Sequence, residues 1–296
     1  MNGTPVDAPR LQAGAAGVLE DPQLARKEQR LRELLREMPS LIVAYSGGVD
    51  SAYLAYAATG VLGARALCIT ADSPSYPDRH RQLAIRLARE FGFTHETIRT
   101  GELERDEYRA NPANRCYYCK HELYTHLAAI AAERGIAAVA DGSNADDRGD
   151  YRPGRQAARE FGVRSPLDEA GLTKAEIREL SRRAGLPTWD EPASACLSSR
   201  IPYFSEVTDA KLRMIEAAET VLRNLGFRVC RVRHHGEGAA TARLELARED
   251  IPRALETATF EAIHRELREI GYHGVMVDLR GYRLGSLNEA LRLRPV

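Results

Sequence analysis

The chain has 296 residues, enough for one large domain or two modest ones. Its 42 basic and 42 acidic residues cancel, which leaves no electrostatic footprint for nucleic acid, and no apolar run reaches the length of a membrane span. Five cysteines, at 68, 116, 119, 196 and 230, are odd in number and widely spread, which argues against a secreted disulfide framework and for a reducing, cytoplasmic compartment.

In chain order, residues 1–22 read as a disordered tail. They are rich in Ala, Gly and Pro and lack the basic start and apolar core of a secretory signal. Gln23 to Met38 has the pattern of a charged amphipathic helix. The apolar run Leu41–Tyr45 reads as a buried strand, Ser46-Gly47-Gly48 as a turn, and a helix opens near Val49. Ala66–Thr70 is a second strand, followed by a helix through Arg81–Phe91, and His95–Ile98 a third strand. Tyr118–Arg134 reads as a helix and Ala137–Ala140 as a short strand. Such alternation predicts an α/β fold, a doubly wound, mostly parallel sheet, over residues 23–204. Ligands of such sheets bind beyond the carboxyl ends of the strands. Ser46–Ser51, Ala71-Asp72-Ser73 and Asp141-Gly142-Ser143-Asn144 all fall there, so one crevice should collect them.

Residues 205–296 read as a small C-terminal α+β domain. A helix over Val207–Leu225 precedes strands at Phe227–Arg233 and Ala242–Ala247, joined around His234-His235-Gly236-Glu237-Gly238. A helix over Ile251–Ile270 and a last strand at Gly274–Leu279 complete it.

Ser46-Gly47-Gly48-Val49-Asp50-Ser51 has the chemistry of a phosphate grip. Two glycines let backbone amides approach an anion at a helix N-terminus, Ser46 and Ser51 add hydroxyl donors, and Asp50 can hold a cation such as Mg²⁺ beside it. The bland alternative is an ordinary capped helix start. The segment is neither a Gly-x-x-x-x-Gly-Lys-Ser/Thr loop nor a Gly-x-Gly-x-x-Gly turn. It resembles the pyrophosphate (PP) loop of N-type ATP pyrophosphatases, which cut ATP into AMP and pyrophosphate and leave a substrate adenylylated.

Cys116-Tyr117-Tyr118-Cys119 alone could be a redox pair, half a zinc site, or two thiols at a helix start. Cys196 lies in Ser194-Ala195-Cys196-Leu197-Ser198-Ser199-Arg200, a loop-like segment where Arg200 can favour a thiolate. Cys68 and Cys230 sit inside apolar strands and read as small buried hydrophobes.

Taken with Arg231-Val232-Arg233-His234-His235-Gly236, the pyrophosphate loop and the Ala195–Arg200 segment resemble the LarE family of ATP-dependent sulfur transferases over most of the chain. The resemblance implies adenylylation of a carboxylate of a pyridinium biscarboxylate mononucleotide, then its replacement by a thiocarboxylate, toward the nickel-pincer cofactor of lactate racemase. In one branch of the family the cysteine matching Cys196 is itself the sulfur donor and ends as dehydroalanine. In another, three cysteines hold a [4Fe–4S] cluster whose open iron carries sulfide, and Cys116, Cys119 and Cys196 resemble that set.

Arg231 and Arg233 share one face of a strand and suit the phosphate of the nucleotide substrate. Glu219 and Asp250 are expected to orient these arginines or contribute to a metal site. Asp72 and Gly142 are expected at the ATP site. His234 and His235 fit a turn better than a metal site, and 144–154 reads as a loop that could cover the site or merely lie on the surface. The expected partners are ATP, Mg²⁺ and a small nucleotide substrate, without nucleic acid or membrane, with self-association into a homo-oligomer. The rival readings are a three-cysteine tRNA thiolase, an ammonia-using synthetase and a non-catalytic ATP-binding module. A tRNA enzyme wants a broad basic surface, which the balanced charge does not offer.

Overall fold

A computed structural model describes residues 21–149, 153–192, 195–283 and 285–289; the expected tail up to residue 20, loop residues 150–152 and Ser194 lie outside them. Helix α1 (Pro22–Arg36) is started by Asp21, whose side chain accepts from Gln23 N, and by Pro22 in the first turn. It buries Leu24, Leu31, Leu34 and Leu35. Then follow β1 (Leu41–Ala44), α2 (Val49–Leu62), β2 (Ala66–Asp72), α3 (Asp78–Glu90), β3 (Thr94–Arg99), the single turn α4 (Asp106–Arg109), α5 (Arg115–Arg134) and β4 (Ala138–Ala140). Short helices α6 (Gly154–Glu160) and α7 (Pro166–Glu169) lead to α8 (Lys174–Arg183).

The four strands form one parallel sheet in the order β3-β2-β1-β4, with Leu41 opposite Ala66 on one side and Ala138 on the other. Every residue of β1 is buried, as a central parallel strand between two helical layers requires. Leu41 and Val43 face a core built with α1, α2 and α8, while Ile42 and Ala44 face Tyr124, Leu127 and Ala157. The chain runs outward from β1 to β3 and then returns to β4 on the far side of β1. The topological switch point therefore lies between β1 and β4, where sheets of this kind take ligands.

A second, smaller sheet follows α9 (Asp209–Asn224). Its strands are β5 (Cys230–His235), β6 (Thr241–Leu246) and, after α10 (Ile251–Ala254) and α11 (Thr257–Ile270), β7 (Gly274–Val277). The order is β5-β6-β7, antiparallel between the first two and parallel between the last. Leu222, Phe227, Val232, Leu244, Leu246, Leu267 and Tyr272 make its core. Among the described residues no helix is long and apolar enough to cross a membrane.

Two expectations change in detail. The single helix over Ile251–Ile270 is two helices, because Glu256 takes extended backbone (ψ 135°) and caps α11. The Thr257-Ala258-Thr259 stretch favours a helix start over a helix interior. His234 and His235 are not turn residues but the last residues of β5, with the His234 ring buried 3.3 Å from the Tyr272 hydroxyl. The bend instead uses Gly236, at φ 91°.

Candidate active site

The Ser46–Ser51 segment sits at the C-terminal end of β1 and opens α2, where the unpaired amides and the helix dipole favour an anion. Gly47 holds φ 65°, and a Cβ there would stand 2.8 Å from Ala84 Cβ, so the turn is open to glycine alone. Ser46 and Ser51 hydroxyls lie 3.0 Å apart, and Ser51 Oγ also donates to Gly48 O at 3.1 Å. The Tyr76 hydroxyl donates to Ser46 O at 2.8 Å.

Gly142 faces this loop across the switch point: a Cβ on it would come within 2.9 Å of Ser51 N. Its neighbour Asp141 accepts from Tyr124 Oη (2.9 Å), Ser165 Oγ (2.8 Å) and Ser143 N (3.1 Å), which ties the β4 loop to α5 and to the residue before α7. Asp50 forms a contact ion pair with Lys174, the first residue of α8. Its other oxygen, Oδ1, is buried without a hydrogen-bond partner. Burial raises the Asp50 carboxyl above the usual range, with Lys174 opposing the shift. An orphaned carboxylate oxygen beside an anion-binding turn fits a hard cation such as Mg²⁺. Asp72, at the end of β2, pairs with Arg81 at 3.0 Å and lines a cleft of about 390 Å³ with Ser73, Tyr76 and Arg99. Residues 144–149 are no mere surface loop. Asn144 and Asp147 are buried, and Asp146 accepts from Lys174 N at 2.9 Å.

The helix carrying Cys116 and Cys119 begins earlier than its sequence pattern suggests, at Arg115, so both thiols lie on one face of its first turns. Cys196 immediately precedes a 3₁₀ turn, Leu197–Arg200. Cys196 acts electrostatically on both Cys116 and Cys119, so the three thiols share one neighbourhood. Burial raises Cys119 first, with Glu102 and Cys196 adding to it; the surrounding protein and then Cys196 raise Cys116. Among the described residues, however, no three His, Cys, Asp or Glu side chains stand at metal-holding spacing. Cys68 and Cys230 are buried, and burial pushes their thiols up to about 12 and about 11, as suits inert core residues.

The Cys196 segment is stitched to both halves of the molecule. On the nucleotide side, Leu197 N donates to Ser75 O at 2.8 Å and Ser198 Oγ lies 2.5 Å from Tyr108 Oη. Asn111, buried at φ 54°, donates from Nδ2 to Pro202 O (2.7 Å) and Ser205 O (3.0 Å). On the other side, Arg200 is fully buried and pairs with Glu219 through Nε (2.7 Å) and Nη2 (3.1 Å). Its Nη1 donates to Ala195 O (2.7 Å) and Cys196 O (2.9 Å). Arg200 was expected to favour the thiolate; its hydrogen bonds clamp the cysteine's backbone, and Cys196 is among the groups that act on its charge.

Arg231 and Arg233 are both buried on β5. Arg231 lies 5.1 Å from the centre of the Tyr282 ring, and burial, then Arg200, lower its pKa. Arg233 donates to Ser199 O (2.6 Å), Glu245 (2.7 Å) and Ser286 Oγ (2.9 Å), and its Nε is buried without a partner. Glu219 does touch this strand, accepting from Val232 N (3.2 Å), the residue between the two arginines it was expected to orient, and its further side-chain partner is Arg223 (2.7 Å). Asp250 does not: its ion-pair partner is Arg253, three residues on, at 3.5 Å. Local pairing within one helical turn takes the carboxylate that was expected to orient the arginines.

Sequence reasoning missed Lys174, Glu245, Arg115 and Tyr108. Only Lys174 carried a signal, the Thr173-x-x-Glu176 capping box that starts α8, and its pairing with a residue 124 positions away is not written in any local pattern.

A parallel sheet with a Ser-Gly-Gly-x-Asp-Ser turn at its switch point, a hydroxyl pair and an orphaned carboxylate oxygen defines an α/β protein of the PP-loop class. No family model matches the chain. An uncharacterised protein of Synechocystis sp. is 43% identical over 90% of this chain and 99% of its own length. The pyridinium-3,5-bisthiocarboxylic acid mononucleotide synthase of Lactiplantibacillus plantarum is 36% identical over 90% of this chain and 96% of its own. An uncharacterised protein of Methanocaldococcus jannaschii is 27% identical over 88% and 97%. The chain belongs to the LarE family of ATP-dependent sulfur transferases.

Proposed function

We propose that this chain converts carboxylates of pyridinium-3,5-biscarboxylic acid mononucleotide into thiocarboxylates, using ATP, on the route to the nickel-pincer cofactor. A carboxylate is a poor electrophile because its oxygen leaves badly. Its attack on the α-phosphorus of ATP, with loss of pyrophosphate, makes AMP the leaving group. The Ser46–Ser51 amides and hydroxyls would hold the departing pyrophosphate. Asp50 would hold Mg²⁺, which supplies charge neutralisation there. Arg231 and Arg233 would take the substrate's phosphate, a reading supported by the partnerless Nε of Arg233.

In the second step the Cys196 thiolate attacks the acyl carbon and expels AMP, forming a thioester. Loss of the Cys196 α-proton with cleavage of its Cβ–S bond leaves sulfur on the substrate and dehydroalanine in the chain. The observation that carries this reading is the double tether of the Cys196 loop, to Ser75 beside the nucleotide crevice and to Arg200 and Arg233 beside the proposed phosphate site. Cys196→Ala should abolish thiolation and spare ATP-dependent pyrophosphate release; thiolation at the parent rate would overturn the scheme.

The shared neighbourhood of Cys116, Cys119 and Cys196 supports a second reading, in which the three would hold a [4Fe–4S] cluster that would supply exogenous sulfide. Among the described residues the three thiols do not stand at metal-holding spacing. Turnover followed by mass spectrometry separates the two. Loss of about 34 Da at Cys196 marks the covalent route, whereas an intact Cys196 with bound iron marks the cluster.

A further inference from the structure

Arginine supplies nearly all of the positive charge of this chain: among its 42 basic residues, only Lys27, Lys120, Lys174 and Lys211 are lysines. One of these, Lys174, stands against the Ser46–Ser51 turn. It is the first residue of α8, where the helix dipole repels a cation, so the helix itself gains nothing from a lysine there. The start of α8 is complete without its side chain. Thr173 and Glu176 form the capping box, and the Lys174 amide donates to Asp146 at 2.9 Å.

The Lys174 ammonium forms its contact ion pair with Asp50 Oδ2, and among the described residues no other group accepts from it. An ammonium carries three N–H donors, so two are left over. The side chain is 35% exposed, which leaves them open to a ligand. Asp50 lies in the first turn of α2, two residues past Gly48, so these donors stand beside the amides that favour an anion. The choice of lysine over arginine has a consequence on the carboxylate as well. An arginine fork tends to cover both oxygens of a carboxylate, whereas a compact ammonium takes one. Here it takes Oδ2 and leaves Oδ1 without a partner.

We infer that Lys174 is a polyphosphate-binding residue of the ATP site. Its ammonium is held on one oxygen of Asp50, so that its remaining donors meet the β- and γ-phosphates while the other oxygen stays open to a divalent cation. The inference rests on the reading of Ser46–Ser51 as the pyrophosphate grip and deepens it by adding a fixed charge from a second helix. The ammonium would neutralise charge that gathers on the departing pyrophosphate, and no proton or covalent bond passes through it.

The test uses the full-length protein in EDTA and compares the parent with Lys174→Met and Lys174→Gln. Calorimetry with inorganic pyrophosphate should show affinity weakened by about ten-fold or more in both variants, with AMP held within about three-fold of the parent. AMP lacks the β- and γ-phosphates, so a lysine that merely ties α8 to α2 would weaken both together. Without EDTA and without nucleotide, Mn²⁺ followed by electron paramagnetic resonance should bind the variants about three-fold more tightly or better, because Asp50 is relieved of a competing cation. If the methionine variant does not fold, the glutamine variant carries the same prediction, since its amide can still donate to Asp50. The parent alone supplies one more measurement: pyrophosphate should slow acetylation of Lys174 by acetic anhydride about five-fold or more, read by site-resolved mass spectrometry. Lys27, paired with Glu176 at 2.7 Å, is the internal reference. Pyrophosphate affinity within about three-fold of the parent in the variants, AMP weakened equally, Mn²⁺ bound no more tightly, or Lys174 unprotected in the parent would each overturn the inference. A parent that binds no pyrophosphate would instead sink the reading of the turn and the inference with it, so the two failures are distinct.

Discussion

Glu219→Gln tests the clamp behind Cys196 most directly. The carboxylate has no side-chain exposure and accepts from Arg200 twice (2.7 and 3.1 Å), from Arg223 (2.7 Å) and from Val232 N (3.2 Å). Glutamine keeps the volume but removes the charge, and its amide nitrogen turns donors toward groups that only donate. Arg200, at 2% side-chain exposure, then becomes a buried cation without its carboxylate. Removing one partner of such a pair costs about 3–5 kcal/mol, a large part of the roughly 5–15 kcal/mol that holds a typical domain folded. The damage should also be directional. The carbonyls of Ala195 and Cys196 hang from the same guanidinium, whereas the Ser46–Ser51 turn is held by its own hydroxyls and by Tyr76. Urea unfolding should therefore show a loss of about 3–5 kcal/mol. Thiolation of the substrate should fall about ten-fold further than its adenylylation, followed as pyrophosphate release on folded enzyme. A loss below about 1 kcal/mol would show that the pair gives no net support. An equal fall in both activities would refute the link between clamp and sulfur.

Gly142→Ala should displace the backbone of Ser51, since its Cβ would stand 2.9 Å from Ser51 N and 3.2 Å from the Asp50 carbonyl carbon. Calorimetric ATP affinity should drop about ten-fold or more, equivalent to about 1.4 kcal/mol; an unchanged Kd would mean the β4 loop does not shape the grip. His80 is held at about 4 by burial and by the charges of Arg79, Arg223, Arg200 and Arg231, below its ordinary value of 6.5. Because the unfolded chain takes up a proton that the folded chain refuses, this contribution is complete above about pH 6.5 and is lost as pH falls toward 4, by up to about 3 kcal/mol. His80→Phe should flatten the acid limb of a stability–pH curve, and an unchanged limb would refute the assignment.

The nucleotide half was legible because its signals are local. The Leu-Ile-Val-Ala of β1 announces a strand buried on both faces, and the glycines at 47 and 48 announce the turn that must follow it. The cysteines could be grouped only through family resemblance, since no spacing rule joins positions 116 and 196. What stayed hidden is long-range polar pairing. In a chain with 84 charged residues, Asp50, Lys174, Arg115 and Glu245 look like any others, and only the fold shows which are buried together. The two histidines of β5 were misplaced for the opposite reason: the glycines beside them are a strong turn signal that in fact begins two residues later.

The Asn111 contacts have a consequence for how the protein is made. They join segments 91 and 94 positions apart in the chain, so the pocket around Cys196 closes only after the helices between have been synthesised and packed. Such distant closure forgoes chain entropy before any contact rewards it, and it belongs late in folding. The Cys196 thiol is thus among the last to be sheltered in a newborn chain, and oxidants present during synthesis meet it before the fold closes around it.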